Sequence, residues 1–250
     1  MTGPLVVSYG MGVDSTAMLI GMAQRSIRPD LILFADTGGE KPETYQYHDV
    51  ISSWLKHADF PPVTWVRYEP KRAPYHTLEQ KCLTNEALPS LAYGWGTCAT
   101  VFKIEPQLKF VRKWLADASQ VVTFAVGFDA GVSDTRRRAL AEKARQDNRY
   151  QQRFPLQEWG WTRSHCAQVI IDAGLPVPVK SACFFCPASK KFEILALKRD
   201  HPELYQRALD IEARAAGGRN GGGTTKGLGR RFAWADVKEA DPEEKELLRP

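Results

Sequence analysis

The sequence has 250 residues and a mass of 28.1 kDa, a length that suits one large domain or a domain with an appended lobe. Apolar residues make up 43% and charged residues 25% of the chain, proportions that exclude a fibrous or wholly disordered protein. The formal net charge of +5 is compatible with anionic ligands, but it does not by itself indicate nucleic-acid binding.

The sequence predicts a cytoplasmic protein without a membrane partner. No apolar run approaches the roughly 20 residues that cross a bilayer, and the first residues, Met1 to Leu5, form neither a basic lead nor a cleavable apolar stretch.

Five cysteines are an odd number in a chain without an export signal, so metal ligation or reactive thiols are favoured over a disulfide framework.

Short apolar runs alternate with helical segments from the first third of the chain to about residue 126, and the pattern changes from about Arg136. The runs predict strands at Leu5–Ser8, Leu31–Ala35, Val63–Val66 and Val121–Val126, and the segments predict helices at Asp14–Arg25, Pro42–Lys56, Pro106–Ala116 and Ser164–Ala173. This alternation predicts an α/β fold with a parallel sheet covered by helices on both faces. Ligands of such sheets bind at the carboxyl ends of the strands, so the loops after Ser8, Ala35 and Val126 are candidate sites.

A turn of small residues, Ser8–Thr16 (SYGMGVDST), joins the first predicted strand to the first helix. Glycine lets the backbone approach a ligand, N–H groups at a helix start attract an anion, and the hydroxyls of Ser15 and Thr16 can donate to phosphate oxygens. The turn lacks the lysine of a Walker loop and the third glycine of a dinucleotide fingerprint. Asp14 places a carboxylate where a phosphate is expected, and the two negative groups are compatible if Asp14 holds Mg²⁺ between them. The alternative interpretation is that Asp14 or Ser15 caps the helix.

Two segments resemble one known family. Gly10–Ser15 (GMGVDS) resembles the Ser-Gly-Gly-x-Asp-Ser PP-loop of the ATP pyrophosphatases, in the variant of phosphoadenosine phosphosulfate reductase-like proteins, with Gly10 in place of the usual serine and Met11 in place of a glycine. Phe34–Tyr45 (FADTGGEKPETY) resembles the second strand and turn of the same group. The resemblance covers roughly residues 5 to 190 and implies a Rossmann-like, adenine nucleotide alpha hydrolase-like fold.

The resemblance also implies a set of nucleotide-binding residues. The loop after the first strand would hold the pyrophosphate of ATP or a similar nucleotide, and the end of the second strand would lie near the ribose and adenine. The residues so implied are Ser8, Gly10, Gly12, Asp14, Ser15, Thr16, Asp36 and Thr37. For Asp36 and Thr37 a plain strand-to-helix turn is the alternative, because their neighbours Gly38 and Gly39 also favour a turn.

The cysteines suggest an inorganic centre. Cys183 and Cys186 are one turn apart, a spacing that lets two thiols reach one metal. Cys98 is similar to the family's cysteine that joins a later C-x-x-C in holding an iron–sulfur cluster, so the resemblance implies a 4Fe-4S cluster on Cys98, Cys183 and Cys186. The fourth ligand would be Cys166 or, as an alternative, Cys82; if neither reaches the cluster, the fourth iron would be open to a small ligand, which suits sulfur transfer. Two other interpretations compete with the cluster. One is a zinc ion held by four thiolates or by three thiolates and a histidine, and the other is free, buried cysteines.

Two cations are candidates for the anionic part of a ligand. Gly127, after the fourth predicted strand, opens a segment that ends in three arginines, Arg136 to Arg138. The guanidinium group suits phosphate or sulfate, and in the family the matching glycine-led loop contacts the anionic end of the nucleotide. Arg136 or a neighbour is the predicted contact, although an arginine run is also typical of a solvated helix face. The resemblance places Lys103 near both the cluster and the phosphates.

The leading hypothesis for function is ATP pyrophosphatase chemistry, in which Asp14, Lys103 and Arg136 assist adenylation of an acceptor and a cluster supports sulfur transfer. The resemblance suggests tRNA, DNA or a small molecule as the acceptor. Phosphosulfate reduction is the first alternative, but no cysteine follows Cys186 to attack the sulfur. The second alternative is a non-catalytic nucleotide-binding protein with structural zinc.

The predicted domains are a nucleotide-binding domain at 1–155 and a loop-rich cysteine extension at 156–250. The oligomeric state stays open, with a homodimer among the alternatives.

Overall fold

The computed structural model describes residues 3–115, 117, 119–144, 148–217 and 225–238. Its strands are β1 (Leu5–Ser8), β2 (Leu31–Asp36), β3 (Val63–Arg67), β4 (Val122–Val126) and β5 (Tyr150–Arg153). Its helices are α1 (Val13–Gln24), α2 (Pro42–His57), α3 (Leu78–Thr84), the single turn α4 (Thr97–Ala99), α5 (Glu105–Trp114), α6 (Val132–Ala144), α7 (Pro155–Glu158), α8 (Arg163–Asp172), α9 (Lys191–Asp200) and α10 (Pro202–Gly217).

The described strands form one parallel sheet in the order β3-β2-β1-β4-β5. Ser8, the last residue of β1, pairs with Leu33 on one side and with Val126 on the other. Every residue of β2 is buried, as expected of a strand covered on both faces. The predicted α/β fold with a parallel sheet and flanking helices is confirmed.

The two faces of the sheet bury different side chains because successive residues of a strand point to opposite sides. Val7, Ile32 and Phe34 belong to a large apolar cluster with α1, α2 and α8, whereas Val6 and Leu33 belong to a second cluster with residues of α5. Helix α1 is buried along most of its length. The first turn of α1 therefore begins at a fixed position beside the end of β1.

The described chain divides into two compact units. The first contains the sheet and comprises the residues up to Asp36, Glu40–Tyr68 and Phe102–Ser181. The second comprises Thr37–Gly39, Glu69–Val101 and the residues from Ala182 onward. The structure thus groups residues 156–181 with the sheet and residues 69–101 with the C-x-x-C segment.

The second unit is built on helices α3, α9 and α10. A buried carboxylate, Glu212 on α10, accepts hydrogen bonds from the backbone N–H groups of Leu228 (2.7 Å), Trp234 (3.0 Å) and Ala235 (3.2 Å). A buried charge is stabilised when several donors satisfy it. Glu212 therefore fixes the described segment 225–238 on α10.

Several elements differ from the sequence prediction. Strand β5, helices α3, α6, α9 and α10 and the short helices α4 and α7 were not predicted, so the segment after the sheet contains helices as well as loops. The predicted helix Pro106–Ala116 is observed at Glu105–Trp114, and Ala116 lies outside the described residues. None of the helices among the described residues is both long enough and apolar enough to span a bilayer.

Candidate functional site

The strand order places two loops together at one edge of the sheet. The chain passes from β1 to β2 on one side, while β4 pairs with β1 on the other, so the order reverses between β1 and β4. Loops at such a reversal diverge and leave a crevice at the carboxyl ends of the strands. The loop Tyr9–Gly12 follows β1 and the loop Gly127–Gly131 follows β4, so two of the three loops expected from the sequence meet at this crevice.

Gly127 brings the β4 loop against the first turn of α1. A Cβ atom at this position would lie 2.9 Å from both the Cα and the N atom of Ser15 and 3.1 Å from the carbonyl carbon of Asp14. Distances below 3.0 Å to backbone atoms leave no room for a methyl group. Gly127, predicted as a nucleotide-binding residue, is thus required for the close approach of the two loops.

The hydroxyl of Ser15 organises the glycine loop from inside. Its Oγ atom accepts hydrogen bonds from the N–H groups of Gly10 (3.2 Å) and Gly12 (3.4 Å) and lies 3.2 Å from the carbonyl oxygen of Gly12, to which it can donate. The helix-capping alternative therefore applies to Ser15. The Thr16 hydroxyl lies 3.1 Å from that of Tyr9 in the buried core, so in this structure it faces the interior. The contact of the Ser15 and Thr16 hydroxyls with a nucleotide stays a prediction.

Met11, which stands where the resembling loop has its second glycine, has a left-handed backbone. Its φ angle is +55°, a conformation that is uncommon for residues with a side chain and that glycine adopts readily. The side chain itself is fully buried in the apolar cluster around α1.

Asp14 does not cap the helix. Its Oδ2 atom accepts a 2.5 Å hydrogen bond from the guanidinium group of Arg163 at the start of α8. Its Oδ1 atom is buried and has no hydrogen-bond partner among the described residues. Burial raises the pKa of Asp14 to about 6, with Asp129 and Asp134 adding to the rise and Arg163 opposing it. A buried carboxylate oxygen without a donor is suited to a cation.

Two further carboxylates lie beside Asp14. One ligand oxygen from each of Asp14, Asp129 and Asp134 falls within 4.8 Å of the others, the one such group of three metal-ligating side chains among the described residues. The Asp134 carboxylate also accepts from the N–H of Asp129 (3.2 Å) and from Arg137 (2.8 Å). Carboxylate oxygens are the ligands that Mg²⁺ prefers. The donor set therefore fits the magnesium ion that the sequence predicts at Asp14.

The end of β2 is occupied by internal contacts. The Asp36 carboxylate, nearly inaccessible to solvent, accepts from the Tyr45 hydroxyl (2.9 Å) and from Arg67 (2.8 and 2.9 Å). In the second unit, the hydroxyl of Thr37 lies 3.1 Å from the sulfur of Cys183 and accepts from the N–H of Gly39 (3.3 Å). The structure thus gives both side chains roles within the protein, and their contact with a ribose or adenine stays a prediction.

The predicted cations differ in their surroundings. Lys103 forms an ion pair with Glu40, its Nζ atom 3.2 Å from Oε1. Arg137 pairs with Asp134 and lies over the ring of Phe128. Arg136, by contrast, is exposed on α6, and no partner for it is found among the described residues. Contact of Lys103 or Arg136 with the anionic part of a ligand stays a prediction.

The predicted metal cysteines are divided between the units. Cys98, Cys183 and Cys186 belong to the second unit, whereas Cys166 is fully buried on α8 in the first. Burial, followed by the charges of Asp14 and Asp129, raises the pKa of Cys166 to about 12, which disfavours the thiolate that a metal requires. Within the described residues, no three thiols come within 4.8 Å of one another. The cluster, the zinc alternative and the fourth ligand remain predictions.

Several site residues escaped the sequence analysis. Arg163 reaches Asp14 from a position 149 residues further along the chain, and such a tertiary contact leaves no local pattern. Asp129 and Asp134 are different, because they stand directly after β4 in the segment that was noted only for its arginines. Carboxylates after a strand that neighbours the glycine loop were the signal that could have identified them.

A parallel α/β sheet with a glycine loop and an acidic group at its point of strand reversal is a Rossmann-like arrangement. Residues 4–178 match the model of the phosphoadenosine phosphosulfate reductase domain, and the chain belongs to that family. It is 26% identical over 213 residues to the uncharacterized protein MJ0973 of Methanocaldococcus jannaschii, a match that covers 82% of this chain and 46% of that protein. The chain thus spans about half the length of this curated relative.

Proposed function

We propose that this protein is an ATP pyrophosphatase-type enzyme that binds magnesium and ATP, adenylates an acceptor and supports sulfur transfer. The observation that carries the proposal is the Asp14 carboxylate, whose buried Oδ1 atom has no partner among the described residues and is accompanied by Asp129 and Asp134. A carboxylate group beside a phosphate-binding loop repels the phosphate unless a cation lies between them. Magnesium with a nucleotide satisfies both the loop and the carboxylates.

In the proposed reaction, a nucleophilic oxygen of the acceptor attacks the α-phosphorus of ATP, the bond to the β-phosphate oxygen breaks, and pyrophosphate leaves. The backbone N–H groups at the start of α1 bind the phosphate oxygens, and Asp14 with its two neighbours holds Mg²⁺. The bound ion supplies positive charge to the leaving group. Lys103 and Arg136 stabilise negative charge that develops on the phosphates. A sulfur nucleophile then attacks the adenylated carbon of the acceptor, the carbon–oxygen bond breaks, and AMP leaves.

The first test is an assay of pyrophosphate release. Purified protein with ATP and Mg²⁺ is incubated with single-stranded RNA, duplex DNA or small acceptors, and pyrophosphate is quantified. We expect release that depends on Mg²⁺ and on one class of acceptor. Sulfite release from phosphoadenosine phosphosulfate with a dithiol reductant would identify a reductase instead. Nucleotide binding without turnover of any acceptor would identify a non-catalytic nucleotide-binding protein.

The sulfur-transfer part of the proposal has its own test. Protein purified under strict exclusion of oxygen is expected to contain iron and acid-labile sulfide and to show a broad absorption band in the visible region, because thiolate-bound clusters are coloured. Replacing Cys183 by serine should remove the band, and replacing Cys82 or Cys166 in turn shows whether either of them is the fourth ligand. Stoichiometric zinc with no visible band would contradict the cluster and support a structural zinc site.

A further inference from the structure

One acidic side chain of the first unit is completely shielded from solvent, and it was not predicted as a site residue. Glu40, just before α2, has a side chain with 0% exposure. Its Oε1 atom accepts a hydrogen bond from the ammonium group of Lys103 at 3.2 Å, and its Oε2 atom accepts from the hydroxyl of Ser181 at 3.4 Å. A buried carboxylate is costly unless such partners satisfy it. Both carboxylate oxygens of Glu40 thus accept a hydrogen bond, one from Lys103 and one from Ser181.

Ser181 connects this carboxylate to the glycine loop. A Cβ atom on Gly12 would lie 3.3 Å from the Cβ atom of Ser181, and one on Gly10 would lie 3.9 Å from the Ser181 Oγ atom. Ser181 therefore packs directly on the loop that follows β1. Since one carboxylate bonds both Ser181 and Lys103, the ammonium group of Lys103 is kept near the same loop.

The ammonium group of Lys103 can be reached from solvent. Its side chain is 38% exposed, so the ion pair with Glu40 does not enclose it. A free lysine side chain samples many rotamers, and fixing it in advance removes an entropic cost from ligand binding. An ion pair with a buried, immobile carboxylate provides that fixation.

We propose that Glu40 is a positioning residue for the anion site: it holds the Lys103 ammonium group against the phosphoryl oxygens of a nucleotide on the glycine loop, and Ser181 ties the same carboxylate to that loop. This inference rests on the proposed function, because it presumes that the loop binds phosphoryl groups. It adds Glu40 and Ser181 to the machinery of the site, with triphosphate or pyrophosphate as the ligand class.

The test compares Glu40→Gln, Lys103→Met and the double variant. Glutamine keeps the size of Glu40 but loses the charge that holds Lys103. We expect each single variant to lower the affinity for magnesium pyrophosphate, and kcat/KM for pyrophosphate release, by about 10- to 100-fold, the range for a charge-assisted hydrogen bond. The double variant should be no worse than Lys103→Met alone, and Ser181→Ala should cause a smaller loss.

Two controls separate positioning from structure. Glu105→Gln makes the same chemical change at an exposed position near Lys103 in the chain and should leave binding unchanged. Melting temperatures of Glu40→Gln and of the double variant should stay close to the wild type, because neither contains a buried charge at position 40, whereas Lys103→Met leaves the Glu40 carboxylate buried without its cation and should lower the melting temperature. A purely structural role of Glu40 would lower stability without coupling the two residues in binding. Additive losses in the double variant, or normal binding by Glu40→Gln, would overturn the positioning role. Wild-type protein that binds neither magnesium ATP nor magnesium pyrophosphate would instead contradict the proposed function, and this inference with it.

Discussion

Replacing Asp14 by asparagine is expected to weaken magnesium ATP binding by at least about 100-fold, because the change removes the charge of the carboxylate that would hold the metal, and such an ion supplies several kcal/mol of charge stabilisation. Isothermal titration calorimetry with and without Mg²⁺ measures the effect. Binding of ATP by wild-type protein should depend on Mg²⁺, and binding by the variant should not. Retained magnesium-dependent affinity in the variant would show that Asp14 is not the metal ligand.

The same substitution should not damage the fold. Arg163, the ion-pair partner of Asp14, has a half-exposed side chain and can turn to solvent. Asp49→Asn, a matched change at an exposed aspartate, serves as the control and should leave affinity unchanged. If the variant of Asp14 failed to fold, its far-ultraviolet circular dichroism would reveal it, and the binding result would then have to be repeated with Asp134→Asn.

The stability difference between wild type and Asp14→Asn should also vary with pH. Burial raises the pKa of Asp14 in the folded state to about 6, above the value of roughly 3.9 in an unfolded chain. A raised folded-state pKa contributes stability that is present below pH 4 and is lost as the pH rises through about 6. In metal-free buffer, the free energy of unfolding of wild type relative to the variant should therefore fall between pH 4 and 7.

Replacing Gly127 by alanine is expected to impair both the loop and the fold around it. The new methyl group would meet backbone atoms of Ser15 at 2.9 Å, and backbone cannot rotate away as a side chain can. Overpacking of this kind costs about 1–3 kcal/mol. We expect a lower free energy of unfolding in urea and a clear loss of magnesium ATP affinity, because the β4 loop and the first turn of α1 must separate.

Gly217→Ala is the matched control for this prediction. A Cβ atom at Gly217, the last residue of α10, has no atom within 4 Å among the described residues, so alanine there should leave nucleotide affinity unchanged. Unaltered affinity and stability in Gly127→Ala would mean that the two loops are not held together as the structure has them. The comparison thus tests the geometry of the site independently of its chemistry.

The centre of the fold could be predicted because burial on both faces leaves a clear pattern in the sequence. Strand β2 is apolar over nearly its whole length, and α1 begins within one residue of its predicted start. The edge of the fold leaves no such pattern. Strand β5 (Tyr150–Arg153) is polar and largely exposed, and among residues 132–139 of α6 only Asp134 is buried. Periodicity cannot identify elements that bury so little.

The residues of the candidate site likewise fall into those that a local sequence pattern identifies and those that it does not. The positions of Asp14 and Gly127 at the carboxyl edge of the sheet could be predicted, because each stands in a turn next to a strand. The contacts of Glu40, Ser181 and Arg163 could not, because they form only when the fold brings distant segments together. Glu40 and Ser181 are 141 residues apart in the chain. Nothing in the residues next to either one predicts the other.

The discontinuity of the second unit has a consequence for how the protein is made. Residues 69–101 leave the ribosome before the segment Phe102–Ser181, and the unit gains its remaining residues only from Ala182 onward. At translation rates of about 5–20 residues per second, the interval lasts seconds, and the first unit is complete at its end. Any step that joins Cys98 to Cys183 and Cys186 must therefore follow synthesis of the sheet.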